Sequence, residues 1–413
     1  MRITEVELTN VRCFKYLKIN LDRPKDANQW ALIIGNNSEG KSTVLRSIAM
    51  GLCDATGAGS LLSELRGRFI RYGARTATIR ITLSDGRKKY WRETIITGED
   101  EKVFQSSSSR LPTKAMRDLF VVGYGTGRVD EGTADYNEYF AVDAVYTLFK
   151  YSQQLQNPEL GFRRVIDEAR KRNPKNEIKA EAHVKNMIFA MLRKLLNLKG
   201  EEEIELTKSG IFLRKNRALH PIGSLGDGYR STLTWVMDLI SWWLLSSLSK
   251  RKRSLETTDI NGILILDEIE QHLHPRWQKE IISLLWEVFP RIQLIGATHS
   301  PLVLSGSLGC SIFALSNGKL QERNNVYGWR AEDVYTDVMD MQSSRPDSFE
   351  RDVEILSELE LKKLRKSVNA QELKKLKSMR ESLKGRLSAT DPLLVTIRLD
   401  SMLSELKSNR NKK

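Results

Sequence analysis

Cysteine is scarce in this 413-residue chain, and its three copies, Cys13, Cys53 and Cys310, show no CxxC spacing. That excludes a zinc ribbon and a disulfide framework, fits a reducing cytosol, and leaves the three to be read as ordinary buried thiols. The N-terminus lacks the charged, apolar, cleavable order of a secretory signal and opens directly on a strand-like run from Met1 to Leu8. A membrane span is lacking too: the most apolar stretch, residues 235–248, carries Asp238 and falls short of the ~20 residues a span requires. It reads as a core helix, and the expected location is the cytoplasm without membrane contact. No repeat with a period of about 20–50 residues stands out, and no long heptad array that would make an extended coiled coil.

Positive charge is in excess. The formal net charge is +14, and residues 351–413 hold 16 Lys and Arg against 9 Asp and Glu, half of that excess. Nucleic acid, an acidic protein or a bilayer surface would each suit the imbalance, as would plain solubility. The length suggests roughly two or three packed units.

Alternating apolar residues over 3–8 and at Leu17, Ile19 and Leu21 predict a β-hairpin, and the run from Trp30 to Ile34 predicts a buried strand. Helical spacing follows from Thr43 to Met50. Residues 76–83 and 88–96 alternate around Ser84-Asp-Gly86, a hairpin turn. A polar loop is expected at 106–109, then a strand leading into a loop across 119–128. From 143 to about 198 the pattern is helical, with Val184, Met187, Ile188, Met191, Leu192 and Leu195 on one face. Residues 249–261 read as an exposed connection before a second buried strand at 263–266, and 292–296 reads as a third. Beyond about residue 341 come Lys-rich amphipathic helices, with Leu356, Leu359, Leu364, Val368, Leu373, Leu376, Met379 and Leu383 facing one way and a turn near Asn369. The expected domains are 1–340, with a helical lobe and insertion at about 140–255, and a basic helical region at 341–413.

Gly35, Asn36, Asn37, Ser38, Glu39, Gly40, Lys41, Ser42 and Thr43 fit GxxxxGK[ST] between an apolar strand and a helix. Glycine lets backbone N–H groups turn toward phosphates, Lys41 adds a cation for the β and γ phosphates, and Ser42 offers a hydroxyl to Mg²⁺. A chance glycine-rich turn would not supply strand, lysine and paired hydroxyls together, so ATP with Mg²⁺ is the expected ligand. Ile263-Leu-Ile-Leu-Asp-Glu268 is an apolar strand ending on two carboxylates. Phosphoryl transfer requires charge neutralisation and an aligned water more than covalent help, which one metal-directing and one water-directing acid provide. A plain strand-end acidic pair is the bland alternative.

Several segments resemble elements of ABC ATPases. The strand ending at Asp267 and Glu268 resembles Walker B, which implies that Asp267 orients Mg²⁺ and Glu268 acts as the base that positions water. Ala297-Thr-His-Ser300 resembles the switch loop, which implies that His299 contacts the γ-phosphate; a structural histidine is the alternative. Ser224-Leu-Gly-Asp-Gly-Tyr-Arg-Ser231 resembles the signature loop, whose role is to cap the ATP held by the opposite protomer, here through Ser224, Gly226 and Gly228. A homodimer around ATP, or a higher oligomer, is implied. The loop departs from LSGGQ at Gly226, where a serine usually reaches the γ-phosphate, and a helix cap is its bland reading. His272 and His274 have an HxH spacing but fall in the D-loop position, which argues against a metal. Asn10-Val-Arg-Cys-Phe14 resembles the segment of RecF and SMC heads that flanks nucleotide, which implies that Arg12 touches ATP. Tyr124-Gly-Thr-Gly-Arg128 reads as a turn, with Arg128 as an ATP-proximal or inter-subunit contact the alternative.

The fold class so implied is α/β: an ABC/SMC-type ATPase head, with a P-loop NTPase core, an antiparallel β subdomain and a helical lobe, plus a small α-helical C-terminal region. Most of residues 1–330 resembles the stand-alone SMC-like ATPases of the PtuA family, found in Septu anti-phage systems and beside some retrons. The cues are the absence of a coiled coil, the loop at 124–128, Leu225-Gly-Asp-Gly-Tyr-Arg230 and Asp267-Glu-Ile-Glu-Gln-His-Leu-His-Pro275. The resemblance implies an ATP-hydrolysing sensor or regulatory subunit that controls a separate HNH nuclease of the PtuB type, in some relatives beside a retron reverse transcriptase and its DNA. The residues after His299, mostly Lys-rich helix, leave little room for a TOPRIM or HNH domain. Lys362, Lys363, Arg365, Lys366, Lys374, Lys375 and Lys377 form a candidate DNA or RNA surface, or else a solvated helix face. The alternative functions are a RecF/SMC-like DNA-repair ATPase, marked by DNA-stimulated hydrolysis without a nuclease partner, and a slowly hydrolysing ATP-bound scaffold. A transporter ATPase is disfavoured by the large insertion between Lys41 and the signature loop.

Overall fold

Where apolar residues alternate, the chain builds antiparallel sheet. In the computed structural model, which describes residues 1–24, 29–108, 111–128, 132, 136, 138–207, 210–248, 256–388 and 391–394, the chain begins with β1 (Arg2–Val11), β2 (Phe14–Asn20) and β3 (Ala31–Ile34). Helices α1 (Lys41–Leu52) and α2 (Ala55–Ser63) follow, then β4 (Thr76–Ser84), β5 (Lys89–Thr97) and β6 (Lys102–Ser107). Five of these strands form an antiparallel sheet in the order β2-β1-β4-β5-β6. The expected hairpin turn is held by Asp85, whose Oδ1 accepts from the N–H of Arg87 and of Lys88, both at 2.8 Å. The polar loop expected from residue 106 starts later, because Ser106 and Ser107 end β6, paired with Glu93 and Arg92; residue 109 lies outside the described residues.

Where apolar residues run unbroken, the chain builds parallel sheet buried on both faces. After α3 (Thr113–Arg117) comes β7 (Val121–Tyr124), all four residues buried. The lobe follows as α4 (Ala141–Val145), α5 (Pro158–Arg172), α6 (Glu177–Leu195), a three-stranded antiparallel sheet of β8 (Glu203–Thr207), β9 (Gly210–Lys215) and β10 (Ala218–Pro221), and the long α7 (Asp227–Leu248). The chain returns to the core with β11 (Asn261–Leu266), α8 (Pro275–Gln278), α9 (Ile281–Val288), β12 (Arg291–Ala297), α10 (Pro301–Ser305), β13 (Ser311–Ser316), β14 (Lys319–Arg323) and α11 (Ala331–Asp337). The six-stranded core sheet has the order β14-β13-β3-β12-β11-β7, parallel except for β14. Its residues alternate between two cores: Leu32, Ile34, Leu264 and Leu266 join the lobe, whereas Ala31, Ile33, Ile263 and Ile265 join α1 and the antiparallel sheet. The P-loop core, antiparallel β subdomain and helical lobe are the architecture expected of an ABC/SMC-type head.

On α6 the expected face is buried at Val184, Ile188, Met191, Leu192 and Leu195, with Met187 partly so. The apolar run at 235–248 lies in α7, packed in the lobe through Trp235, Trp242 and Trp243. No helix among the described residues is long and apolar enough to cross a membrane. The connection expected at 249–261 is not wholly exposed: residues 249–255 lie outside the described residues, but Thr257 and Ile260 are buried in a tight turn.

Residues 1–340 and 341–413 are separate compact units. The second contains the antiparallel helices α12 (Asp347–Leu364) and α13 (Ala370–Arg386). Asn369 starts α13 with a capping box, its side chain accepting from Glu372 N–H while the Glu372 carboxylate accepts from Asn369 N–H. Leu356 and Leu383 are buried against Phe349 and Met379. The expected apolar stripe breaks at Leu364, which is 79% exposed because α12 stops there.

Candidate nucleotide site

Glycine fixes the loop between β3 and α1. A Cβ on Gly35 would lie 2.3 Å from the carbonyl oxygen of Leu315, and Gly40, at φ +102°, would place one 2.6 Å from the Phe14 ring. Only glycine takes both positions without displacing the wall behind the loop. Lys41, the first residue of α1, is nearly buried and donates through Nζ to the carbonyls of Gly35 and Asn36, at 2.8 and 2.9 Å. Burial pulls its pKa down, opposed by Asp267, Glu268 and Glu270.

A cavity of about 380 Å³ opens above this loop. One wall is Asn37, Ser38, Gly40, Lys41, Ser42 and Thr43; another is Asp267, Glu268 and His299; Arg12 and Cys13 complete the rim. Gly35, Asn36 and Glu39 do not line it, the first two serving through their carbonyls as anchors for Lys41. Arg12 donates to the carbonyl of Arg66 at 2.9 Å and lies over the Phe69 ring at 5.9 Å. Cys13 corrects one expectation: it is exposed rather than buried, because it sits in the β1–β2 turn that overhangs the loop. Cys53 and Cys310 are buried, and burial pushes both thiols up to about 12.

Asp267 is buried at the end of β11, and Glu268 takes a left-handed backbone at φ +46°. Partial burial, with the carboxylates of Asp267 and Glu270 nearby, raises the pKa of Glu268 against the pull of Arg128 and Lys41. A carboxylate so raised is a stronger base. His299 shifts down, first through burial and then through Lys41, which favours the neutral imidazole. The set fits a nucleotide with a divalent cation: a glycine-shaped cradle, a cation above it, and the oxygens of Ser42 and Asp267 on one cavity.

Two residues hold the site together: Glu270, to which sequence reasoning gave no role, and Arg128, which it left between a turn and an ATP-proximal or inter-subunit contact. Glu270 accepts from Thr298 Oγ1 and from the His299 N–H, both at 2.6 Å. Arg128 is 2% exposed, which corrects the alternative of a nucleotide or subunit contact. Its guanidinium donates to the carbonyls of Gly125 at 3.1 Å, Asp267 at 2.6 Å and Glu268. It points inward because Gly125 and Gly127 let the loop press on the backbone of Thr147 and Tyr151, where a Cβ would meet carbonyls at 2.3 and 2.0 Å. Arg128 acts on backbone groups alone, whereas Glu270 holds one side-chain hydroxyl and one backbone N–H.

The segment from Ser224 to Gly228 does not reach this cavity within one chain. Ser224 and Gly226 are exposed, and Ser224 Oγ donates to the Pro221 carbonyl at 2.8 Å. Gly228 backs onto the segment after Glu268, its Cβ position lying 2.6 Å from the His272 carbonyl, and the Tyr229 ring meets Trp277 edge-on at 4.8 Å. His274 caps α8, its Nδ1 accepting from Arg276 N–H at 3.2 Å, and no group of three or more His, Cys, Asp or Glu suited to a metal occurs among the described residues.

Fold and site together define an α/β P-loop protein with Lys41, Ser42, Asp267, Glu268 and His299 gathered on one cavity. A family model described as an AAA domain matches residues 5–219, more than half of the chain, and one described as an AAA domain, putative AbiEii toxin, Type IV TA system, matches 134–305. The chain belongs to the AAA domain family. It is 24% identical over 328 residues to Septu protein PtuA of Bacillus mycoides (strain KBAB4), covering 78% of this chain and 41% of that protein. It is 28% identical over 157 residues to the Retron Ec83 probable ATPase of Escherichia coli, covering 37% and 28% of the two. The chain thus spans less than half the length of these relatives. Among solved structures, the SMC head domain from Thermotoga maritima superimposes with a TM-score of 0.45 at 14% identity, over 78% of this chain and 98% of that one.

Proposed function

We propose that this chain is the ATP-binding and ATP-hydrolysing sensor or regulatory subunit of a bacterial anti-phage defence complex in the cytoplasm. The observation that carries the hydrolytic part is the convergence of Lys41, Ser42, Asp267, Glu268 and His299 on one cavity. Lys41 and the loop amides bind the phosphates, Glu268 takes the proton of an attacking water, and His299 meets the γ-phosphate. Bound Mg²⁺ supplies charge neutralisation at the phosphates, with Ser42 and Asp267 as the oxygens available to hold it. The defence reading is supported by the similarity to Septu and retron proteins. In that reading a separate HNH nuclease of the PtuB type does the cutting, in some settings beside a retron reverse transcriptase and its DNA.

A homodimer closes around ATP, each signature loop capping the partner's nucleotide. The exposure of Ser224 and Gly226, away from their own cavity, supports this. A Cβ on Gly226 meets nothing within 4 Å and the residue is exposed, so Gly226→Arg starts into open space within one chain. We expect it to keep nucleotide binding and thermal stability while abolishing ATP-dependent dimerisation and hydrolysis. In parallel, Glu268→Gln binds ATP and accumulates as a dimer in light scattering, and Lys41→Ala fails to bind. Normal turnover by Glu268→Gln removes the assigned base, and co-purification with repair proteins instead of a nuclease favours the RecF-like reading.

DNA or RNA contact through the C-terminal hairpin is supported by how its charges are distributed. At the base, Arg386 pairs with Asp352 and Arg345 with Asp391, and farther along the helices Arg380 pairs with Glu360. Toward the tip, Lys363, Arg365, Lys366, Lys374, Lys375 and Lys377 are exposed and have no ion-pair partner among the described residues. Lys362 alone pairs there, with Glu372 at 2.6 Å.

A further inference from the structure

We infer that Arg128 is a positioning residue for hydrolysis, holding the backbone that aims Glu268 from the loop at the end of β7. The inference rests on Glu268 being the base.

Glu268 stands at φ +46°, a conformation that a non-glycine residue keeps only where its surroundings over-determine it. Two donors meet its carbonyl, the Gln271 N–H at 3.0 Å from within the turn and Arg128 from the loop after β7. One guanidinium nitrogen donates to the carbonyls of Asp267 and Gly125, the other to the carbonyl of Glu268. All three are backbone acceptors, and the charge is balanced at longer range by Asp267, Glu270 and Glu268. At 2% exposure no solvent is present to replace these bonds. The planar fork matters, because a lysine ammonium cannot span two successive carbonyls in the same geometry.

Two further bonds tie the same loop to the same turn: Gln271 Nε2 donates to the Thr126 carbonyl at 2.7 Å, and Asp267 N–H donates to the Tyr124 carbonyl at 2.9 Å. Across the turn, Glu270 grips Thr298 and the His299 N–H. The base and the switch histidine are therefore set by one turn with a buried cation on one side and a carboxylate on the other. A cation kept this deep only to fill space would be disfavoured against an apolar side chain of similar volume.

The test uses the full chain. Arg128→Lys and Arg128→Ala are assayed for ATP turnover, nucleotide affinity and melting temperature, the Ala variant with and without millimolar guanidinium. Misplacing a reacting group by about 1 Å costs on the order of 100-fold. We expect kcat to fall by roughly that factor in both variants, KM and nucleotide Kd to stay within about threefold, and guanidinium to restore part of the rate to Arg128→Ala. Arg128→Lys added to Glu268→Gln should slow it no further, because both act on one step. Should Arg128→Ala not fold, Arg128→Lys and Gln271→Ala carry the test, the latter with a smaller fall in kcat at unchanged KM. Unaltered kcat in folded Arg128→Lys, or kcat and nucleotide affinity lost together, overturns the inference. Normal turnover by Glu268→Gln instead overturns the reading beneath it.

Discussion

Asp238 tests how far burial controls ionisation in the lobe. It lies on α7, 2% exposed, and its carboxylate accepts from Tyr124 Oη at 2.8 Å and from the Gln156 N–H at 3.1 Å. These bonds, with one from Trp242, do not offset desolvation, and the carboxyl is pushed up from 3.8 to about 6. An acid whose folded pKa exceeds its unfolded one binds its proton more tightly when folded. Its penalty is therefore absent below pH 3.8, grows up to about pH 6, and is constant above. At about 1.4 kcal/mol per pKa unit, the full penalty at neutral pH is about 3 kcal/mol, of which about 1 kcal/mol is relieved on moving from pH 7 to pH 5. Asp238→Asn keeps the shape and removes the titration. Urea unfolding of both proteins at the two pH values, followed by far-UV circular dichroism, isolates this group, because Glu268, His299 and the other shifted residues cancel in the difference. The natural protein should gain about 1 kcal/mol on the variant upon acidification. An identical stability gap at both pH values means that Asp238 ionises normally and refutes the desolvation account.

Three further outcomes follow from the site and the hairpin. Gly40→Ala, with φ +102° and a Cβ 2.6 Å from Phe14 and 2.8 Å from Cys13 Sγ, should cost about 2–4 kcal/mol shared between stability and nucleotide affinity; unchanged melting and unchanged titration with labelled ATP would show that the loop is not so confined. Cys13, exposed on the cavity rim with a thiol pKa raised by partial burial, should react with a maleimide slowly at pH 7, faster as pH rises, and at least about tenfold more slowly with saturating nucleotide; equal rates with and without ATP place nucleotide elsewhere. Reversing Lys374, Lys375 and Lys377 to Glu should leave melting unchanged but reduce the slope of log K against log salt for a DNA duplex by roughly 2–3, read by fluorescence anisotropy, and an unaltered slope takes the hairpin out of the nucleic-acid reading.

Much of the core was legible because parallel strands buried on both faces leave unbroken apolar runs. Ile263 to Leu266 and Ile292 to Gly296 could be read as strands for that reason, and both lie in the parallel sheet, the second beside β3 and the first one strand further out. The lobe's small sheet was not legible. In β10 every residue is exposed, so pairing with β9 rather than an apolar pattern makes it a strand, and β8 alternates Glu203 and Glu205 with the core-packed Ile204 and Leu206 over only five residues. In the site, the cavity-lining residues of the loop at 37–43 could be named because side-chain chemistry at fixed spacing identifies them. The roles of Arg128 and Glu270 could not, since Arg128 bonds only carbonyls, and Glu270 meets a hydroxyl and an N–H that only the fold brings to it. The exposure of Cys13 was missed because an isolated cysteine is most often a core residue, and only the fold of the β1–β2 turn brings it to the rim.

The geometry at the end of β11 also bears on whether Asp267 and Glu268 are merely an acidic pair. Successive side chains along an extended strand point to opposite faces. Two adjacent acids on a straight strand end would therefore diverge, one toward the lobe and one toward α1. Both line the same cavity here, so the chain must leave extended geometry between them, and the left-handed backbone of Glu268 is where it does so. Past β11 the Asp267 and Glu268 carbonyls both accept from Arg128, and the Glu268 carbonyl also accepts from the Gln271 N–H at 3.0 Å. On the far side the Ile269 N–H is met by the Ala297 carbonyl at 3.1 Å, which ties the turn to the end of β12 beside Thr298 and His299. An acidic pair with no shared task requires neither the bend nor a buried guanidinium beneath it. A metal-directing acid and a water-directing acid that act on one phosphate require both carboxylates on one side, and the bend provides that.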